Sequence, residues 1–283
     1  MTATQPKPEA PTAPLLATLG AAMPLSAVEQ HRDWLFAGRD LELQDPVSHE
    51  LLDGDWRAHA GRTREVLDGF TGRLGIHGPF WGLTLMPRDP AVREVSVRRH
   101  SAALAYAGEI GATHMVVHSP FDFFGHPLVS HTAATGLAEQ LDIVQDILEE
   151  LLPQAEAVGC TLVMENIRDT NPTPLLTLAR RMNHDRFRLS IDVGHAHLMQ
   201  RVGGPTPEAW IRTVGEWLGH VHLQDNDAMN DWHWPPGDGQ IHWRGVLAAL
   251  ATVQSQPRLI IEVGSAHLER GKAYLEGLGT PKL

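Results

Sequence analysis

The 283-residue chain has one cysteine, Cys160, and three lysines, Lys7, Lys272 and Lys282. A single cysteine excludes an intrachain disulfide and any metal site built from several thiolates. Set in VGCTLVM between a helix end and an apolar strand, it reads as a small buried residue. The lysines sit near the chain ends, which disfavours lysine Schiff-base chemistry and a phosphate-loop lysine, since both need the amine inside the fold. No apolar run approaches the roughly 20 residues of a membrane span. With 42% hydrophobic and 20% charged residues, the composition is that of a globular protein expected in the cytoplasm. A net charge of −11 makes a broad nucleic-acid surface unlikely on electrostatic grounds. Residues 1–14 carry four prolines and are expected to form a disordered tail. The apolar stretch 15–22 has Lys7 as its only basic neighbour, so no signal peptide is expected.

What is present is an alternation of short β-rich apolar runs with longer stretches of helical period, the pattern of successive βα units. Eight strands are read: LLATLGA (15–21), DLELQ (40–44), RLGIHG (73–78), HMVVHS (114–119), TLVMENI (161–167), FRLSIDVG (187–194), HVHLQD (220–225) and RLIIEVG (258–264). Asp89-Pro90 starts a helix that Gly111 stops; Thr206-Pro207 and Gly219 frame another. Leu137, Leu141, Val144, Leu148 and Leu151 form one helical stripe. Eight such units predict an α/β fold, a closed (β/α)8 TIM barrel forming one domain over residues 15–278, with the active site at the C-terminal ends of the strands. An open doubly wound sheet would bring a Gly-rich turn after its first strand, and none is present.

Histidine is abundant, with seventeen copies, and its placement is ordered. Strands three to eight end at His77, His118, Glu165, Asp192 (with His195 three residues on), His222 and Glu262. Each alone is better explained as a hydrogen-bonded core or rim residue. Six together at the catalytic end predict one converging site, suited to zinc or manganese and too large for a single ion. In DWHWPPGDG (231–239), Asp231 and His233 lie two apart and would point the same way in an extended chain. Trp232 and Trp234 are costly for a loop with nothing to cover.

The motifs HGPF (77–80), VVHSPF (116–121), MEN (164–166), IDVGH (191–195), HVHLQDN (220–226), DWHWPPGDG and IIEV (260–263) resemble the xylose-isomerase-like barrel superfamily, which includes sugar phosphate isomerases/epimerases and endonuclease IV. The resemblance covers roughly residues 15–270. By the endonuclease IV pattern it implies three ions: His77, His118 and Glu165 around one; Glu165, Asp192, His222 and Glu262 around the second; His195, Asp231 and His233 around the third. By the isomerase branch it implies one ion, at Glu165, Asp192, His222 and Glu262, with Glu165 and Glu262 as the catalytic proton-transfer pair beside a metal-stabilised enediolate. One to three divalent ions per chain are therefore expected.

Only eight residues separate His222 from Asp231, shorter than in endonuclease IV, and IDVGHAHL follows the isomerase wording. The expectation is a sugar or sugar-phosphate isomerase/epimerase, with a multinuclear phosphoester hydrolase as the alternative and a non-catalytic binding barrel as the third reading. Trp81, Phe121, Phe123, Phe124, Trp232 and Trp234 are expected to wall the substrate pocket, or else to pack between loops. Arg168 and Arg201 are the candidate phosphate contacts, against the ordinary fate of a surface arginine. The expected partner is a small sugar; no nucleic acid or membrane is expected, and oligomeric state is left open, a homo-oligomer included.

Overall fold

The computed structural model describes residues 15–121 and 134–278. The expected tail over 1–14, Phe123 and Phe124 lie outside the described residues. Strand β1 (Gly20–Met23) is followed by short helices α1 (Leu25–Val28) and α2 (Arg32–Leu35), then β2 (Leu41–Leu43), α3 (His49–Asp53), α4 (Trp56–Val66), β3 (Leu74–His77) and α5 (Pro90–Ile110). Next come β4 (His114–His118), α6 (Ala134–Ala157), β5 (Thr161–Glu165), α7 (Thr173–Met182), β6 (Phe187–Asp192) and α8 (Val193–Met199). The chain continues through α9 (Pro207–Val214), β7 (Leu218–Leu223), α10 (Trp243–Leu250), β8 (Arg258–Ile261) and α11 (Leu268–Leu278).

The eight strands are parallel and close in chain order, β1 pairing with both β2 and β8. The predicted TIM barrel is the observed fold. Around it Leu141, Val144, Leu148 and Leu151 of α6 are buried, with Leu137 packed at the edge of the core, so the sequence stripe is the sheet-facing side of the helix. Cys160 is fully buried. Among the described residues, no helix is long and apolar enough to cross a membrane.

Two boundaries differ from the sequence reading. Residues 15–18 form a turn, and the first strand begins at Gly20. Leu15 and Leu16 pack against the core from outside the sheet, and an apolar run alone does not distinguish that from a strand. Gly20 stands where the barrel closes: a Cβ there would lie 2.1 Å from the Asp40 carbonyl oxygen. The helix begun by Thr206, whose side chain accepts a hydrogen bond from the Ala209 amide, stops at Gly215 (φ 55°) rather than Gly219, which lies inside β7. The Asp89 cap and the Gly111 stop (φ 72°) stand as read.

The register explains why the strand-end residues share one mouth. Glu165 pairs with His118 on one side and Ser190 on the other; Asp192 pairs with His222, and His222 with Ile260. Asp192 is thus two residues beyond the level of Glu165, and Glu262 two beyond that of His222. Side chains alternate with period two, so a step of two climbs the tilted barrel without turning any of these side chains to the helix side.

Candidate metal centre and cavity

At the C-terminal ends of the strands lies a cavity of about 640 Å³ whose lining includes His77, His118, Glu165, His195, Asp231, His233 and Glu262. Asp192 and His222 are fully buried just beneath. Four clusters among the described residues bring ligand atoms within 4.8 Å of one another: at the cavity, the three made by His77, His118 and Glu165; Glu165, Asp192, His222 and Glu262; and His195, Asp231 and His233; and, low in the barrel, Glu42, His220 and His222. The three at the cavity correspond to the groups that the sequence resemblance implied, with Glu165 shared between two of them.

In the first cluster His77 Nε2 and His118 Nε2 are 3.3 Å apart, and each lies 3.7–3.8 Å from Glu165 Oε2. In the second, His222 Nδ1 is 2.8 Å from Glu165 Oε1 and 3.3 Å from Glu262 Oε2. In the third, Asp231 Oδ2 lies 3.1 Å from His195 Nε2 and 3.2 Å from His233 Nε2. Metal bonds of about 2.0–2.2 Å in a tetrahedron separate donors by about 3.3–3.6 Å, a range that the observed spacings of 2.8–3.8 Å bracket. Glu165 Oε2 and Asp192 Oδ2 are moreover buried with no hydrogen-bond partner among the described residues. A buried carboxylate oxygen without a donor is costly, and a cation would satisfy it.

The orientation of each ring is set by what its other nitrogen touches. Nδ1 of His77, His195 and His233 faces the backbone carbonyl of Gly78 (2.9 Å), Asn166 (2.9 Å) and Glu262 (3.0 Å), respectively. A carbonyl can only accept, so Nδ1 carries a proton and Nε2 is the nitrogen that would give its lone pair to an ion once its own proton is released. His222 is turned the other way: Nε2 donates to Glu42 Oε1 at 3.0 Å and Nδ1 faces the cluster.

The electrostatics describe a set of imidazoles held by carboxylates. Burial opposes charge on His222, yet Glu262, Glu42 and Glu165 hold its pKa well above the ordinary histidine value. Against the same burial, Asp192 and Asp231 raise His195, and the Asp231 hydrogen bond and Glu262 bring His233 up to about 9. Glu165, despite its burial, is held low by His222, His118 and His195. Burial raises Asp192 to about 6, although His195 opposes the shift. His118 goes the other way: burial pushes it down to about 3. An ion here would need the imidazole lone pairs, so its binding would release the protons these carboxylates hold in place.

The seventh connection adopts a conformation that simple alternation does not give. His233 has φ 48°, in the left-handed region, so residues 231–233 are not extended; Asp231 and His233 converge through that turn. The loop is anchored beneath by Asp225. Its backbone exchanges hydrogen bonds with Trp234 (2.8 and 3.0 Å), and its carboxylate accepts from the amides of Asn226 (2.9 Å), Gly237 (2.9 Å) and Ile241 (3.2 Å) and from Trp243 Nε1 (2.8 Å). Gln224 links two clusters, its Nε2 donating to Asp192 Oδ1 (3.1 Å) and Asp231 Oδ1 (2.9 Å).

The expected pocket wall is met by Trp81, which lines the cavity with Phe80, Val47, Ile167 and Val263. Phe121 is instead buried in the core at 3% exposure. Trp232 and Trp234 stack on each other (5.7 Å between centroids, 3° between planes), and Trp232 Nε1 donates to Asp227, so the pair braces the loop and does not line the cavity. Arg168 is exposed and outside the lining. Arg201 donates to the Ala228 carbonyl and supports the same loop. Sequence reasoning missed Glu42, Gln44 and Gln224. Their signal was parity: Glu42 stands between Leu41 and Leu43, and Gln224 follows His220 and His222 at period two, on the inward face.

The model of the xylose isomerase-like TIM barrel family matches residues 42–280. A D-tagatose 3-epimerase-like protein superposes with a TM-score of 0.75 at 20% identity over 92% of this chain and 96% of that one. A protein from Thermus thermophilus, in crystals soaked with zinc chloride, superposes with a TM-score of 0.66 at 25% identity over 92% and 97%. An uncharacterized protein of Methanocaldococcus jannaschii is 24% identical over 67% of this chain; the match spans 64% of that relative's length. With a closed eight-strand barrel and a family match over most of its length, this chain belongs to the xylose isomerase-like TIM barrel family.

Proposed function

We propose that this protein is a divalent-metal-dependent isomerase or epimerase acting on a sugar. The observation that carries the reading is the placement of Glu165 and Glu262, both lining the cavity and both within 3.3 Å of His222 Nδ1. Structural neighbours named as sugar epimerases, among them a D-psicose 3-epimerase with D-fructose and a 3-keto-D-glucoside 4-epimerase, support it. Glu165, Asp192, His222 and Glu262 would hold the ion, zinc or manganese by their donor set. When bound, the ion supplies a Lewis acid for a carbonyl and its neighbouring hydroxyl.

Glu165 and Glu262 would then act as the proton-transfer pair, one removing the proton from the hydroxyl-bearing carbon next to the carbonyl and the other returning one. Gln44 Nε2 donates to Glu262 Oε1 at 3.1 Å, fixing one oxygen of that carboxylate. Phe80, Trp81 and Ile167 provide an apolar wall to the cavity beside these carboxylates.

One observation favours a second reading, a phosphoester hydrolase: all nine potential ligands converge, whereas proton transfer needs one ion. Metal content and turnover separate the two. Protein purified without chelator should exchange solvent deuterium into ketoses while the four-ligand site is filled. Three ions per chain, with phosphate release from model esters and no exchange, would establish the hydrolase instead.

A further inference from the structure

Beside the metal cavity lies a second cavity of about 630 Å³. The two share Gln44, Val47 and Trp81 as lining residues, so they adjoin across those side chains. The outer one is built by the connection after β2: residues 45–51, reaching into α3, with His59 from α4. Each volume alone falls in the range of about 300–1,000 Å³ that holds a small-molecule ligand. A single sugar ring over the metal ligands would leave the outer cavity empty.

The chemistry of the junction and the outer wall selects a class of occupant. Trp81 is 67% exposed, the most exposed of the large hydrophobic side chains among the described residues, and its ring rests on Phe80 (4.7 Å between centroids). An indole left open at the junction of two cavities suits the apolar C–H face of a pyranose. Beyond it stand Asp45, Ser48, His49 and Glu50, groups that bind hydroxyls. No lysine or arginine lines either cavity among the described residues, and residues 122–133, outside that description, contain neither type in their sequence. A phosphate carried away from the reacting carbons would therefore meet the Asp45 and Glu50 carboxylates, with the imidazoles of His59 (3.3 Å from Asp45) and His49 (3.2 Å from Glu50) beside them in the lining in place of a lysine or arginine.

We propose that the outer cavity is a second sugar subsite, so that the substrate is a neutral glycosylated ketose, its keto sugar over Glu165 and Glu262 and its other ring against Trp81. The proposal rests on the epimerase reading and names the substrate class of that site. The rim carboxylates select against a phosphorylated monosaccharide, and Trp81 contributes affinity through the second ring.

The test is solvent-deuterium exchange, followed by NMR on the metal-loaded protein, with D-fructose, fructose 6-phosphate and three glucosyl- or galactosyl-fructoses joined at different hydroxyls: turanose, lactulose and isomaltulose. Equilibrium binding of the same sugars by calorimetry supplies a readout independent of turnover. At least one disaccharide should exceed fructose tenfold or more in kcat/KM and in affinity, with fructose 6-phosphate no better than fructose. Trp81→Ala, at an exposed position where truncation leaves the core intact, should bring the disaccharide-to-fructose ratio close to one. If fructose or its phosphate is handled as well as every disaccharide, or if Trp81→Ala leaves the ratio unchanged, the subsite is overturned and the epimerase reading stands. If no ketose exchanges, the epimerase reading fails and the subsite with it.

Discussion

Glu42 Oε1 lies 3.0 Å from His222 Nε2, at the bottom of the metal cavity, with both side chains buried. The carboxylate fixes which nitrogen of His222 faces Glu165 and Glu262, and it raises the basicity of that nitrogen. Glu42→Gln keeps the volume but removes the charge. Metal affinity, read by competition with a chromophoric chelator, should fall about 10–100-fold with little loss of folded protein. Unchanged affinity would mean that Glu42 only fills the barrel.

His233 belongs to the third cluster and not to the four-ligand site. If one ion at Glu165, Asp192, His222 and Glu262 suffices for proton transfer, His233→Ala should retain substantial deuterium exchange while losing metal from the third cluster. Glu165→Gln, by contrast, should abolish activity. Near-complete loss of turnover in His233→Ala, with the four-ligand site still filled, would favour the multinuclear hydrolase.

At Gly194 in α8 an added Cβ would lie 2.1–2.3 Å from the Gln224 side-chain amide, which holds Asp192 and Asp231. Gly194→Ala should cost about 1–3 kcal/mol of stability, as overpacking does. It should also weaken ion binding at the second and third clusters together. A thermal melt combined with metal titration checks both; normal affinity in the variant would show that Gln224 is dispensable.

Four hydrogen bonds end on the buried Asp225 carboxylate. Asp225→Asn sets an amide N–H₂ against some of those donors, and a buried donor left unpaired costs about 1–3 kcal/mol. Amide hydrogen exchange should accelerate across 231–241 before the rest of the barrel responds. Uniform acceleration would place the effect in global stability instead.

His100, buried in α5, donates from Nδ1 to the Ser96 carbonyl at 2.7 Å; burial, only partly offset by that bond, lowers its pKa from 6.5 to about 4. Between these values the unfolded chain binds the proton and the folded chain does not. The stability from this group is therefore complete above about pH 6.5 and is lost as pH falls toward 4, on the order of 3 kcal/mol in all. Urea midpoints between pH 7 and 4 should slope less steeply in His100→Gln than in the parent, and equal slopes would refute the assignment.

The barrel and the inventory of the candidate site are legible in the chain itself. Short apolar β-rich runs alternating with helical stretches point to a parallel sheet, and residues such as Glu165, Asp192 and His222 could be read at strand ends because strand ends in this architecture all open on one mouth. The same logic gave less at the first strand, where Leu15 and Leu16 are apolar for a reason other than pairing.

How those residues combine is a property of the folded molecule. Glu42 is distant in sequence from His222 and meets it only because tilted strands bring opposite walls of the barrel together. The left-handed turn at His233, the Asp225 anchor and the stacking of Trp232 on Trp234 depend on contacts between segments, to which local alternation is blind. Likewise, the sequence offered Trp81, Phe121, Trp232 and Trp234 alike as an aromatic wall, and of these four only Trp81 lines the cavity: a side chain's chemistry is local, whereas the surface it faces is set by everything packed around it.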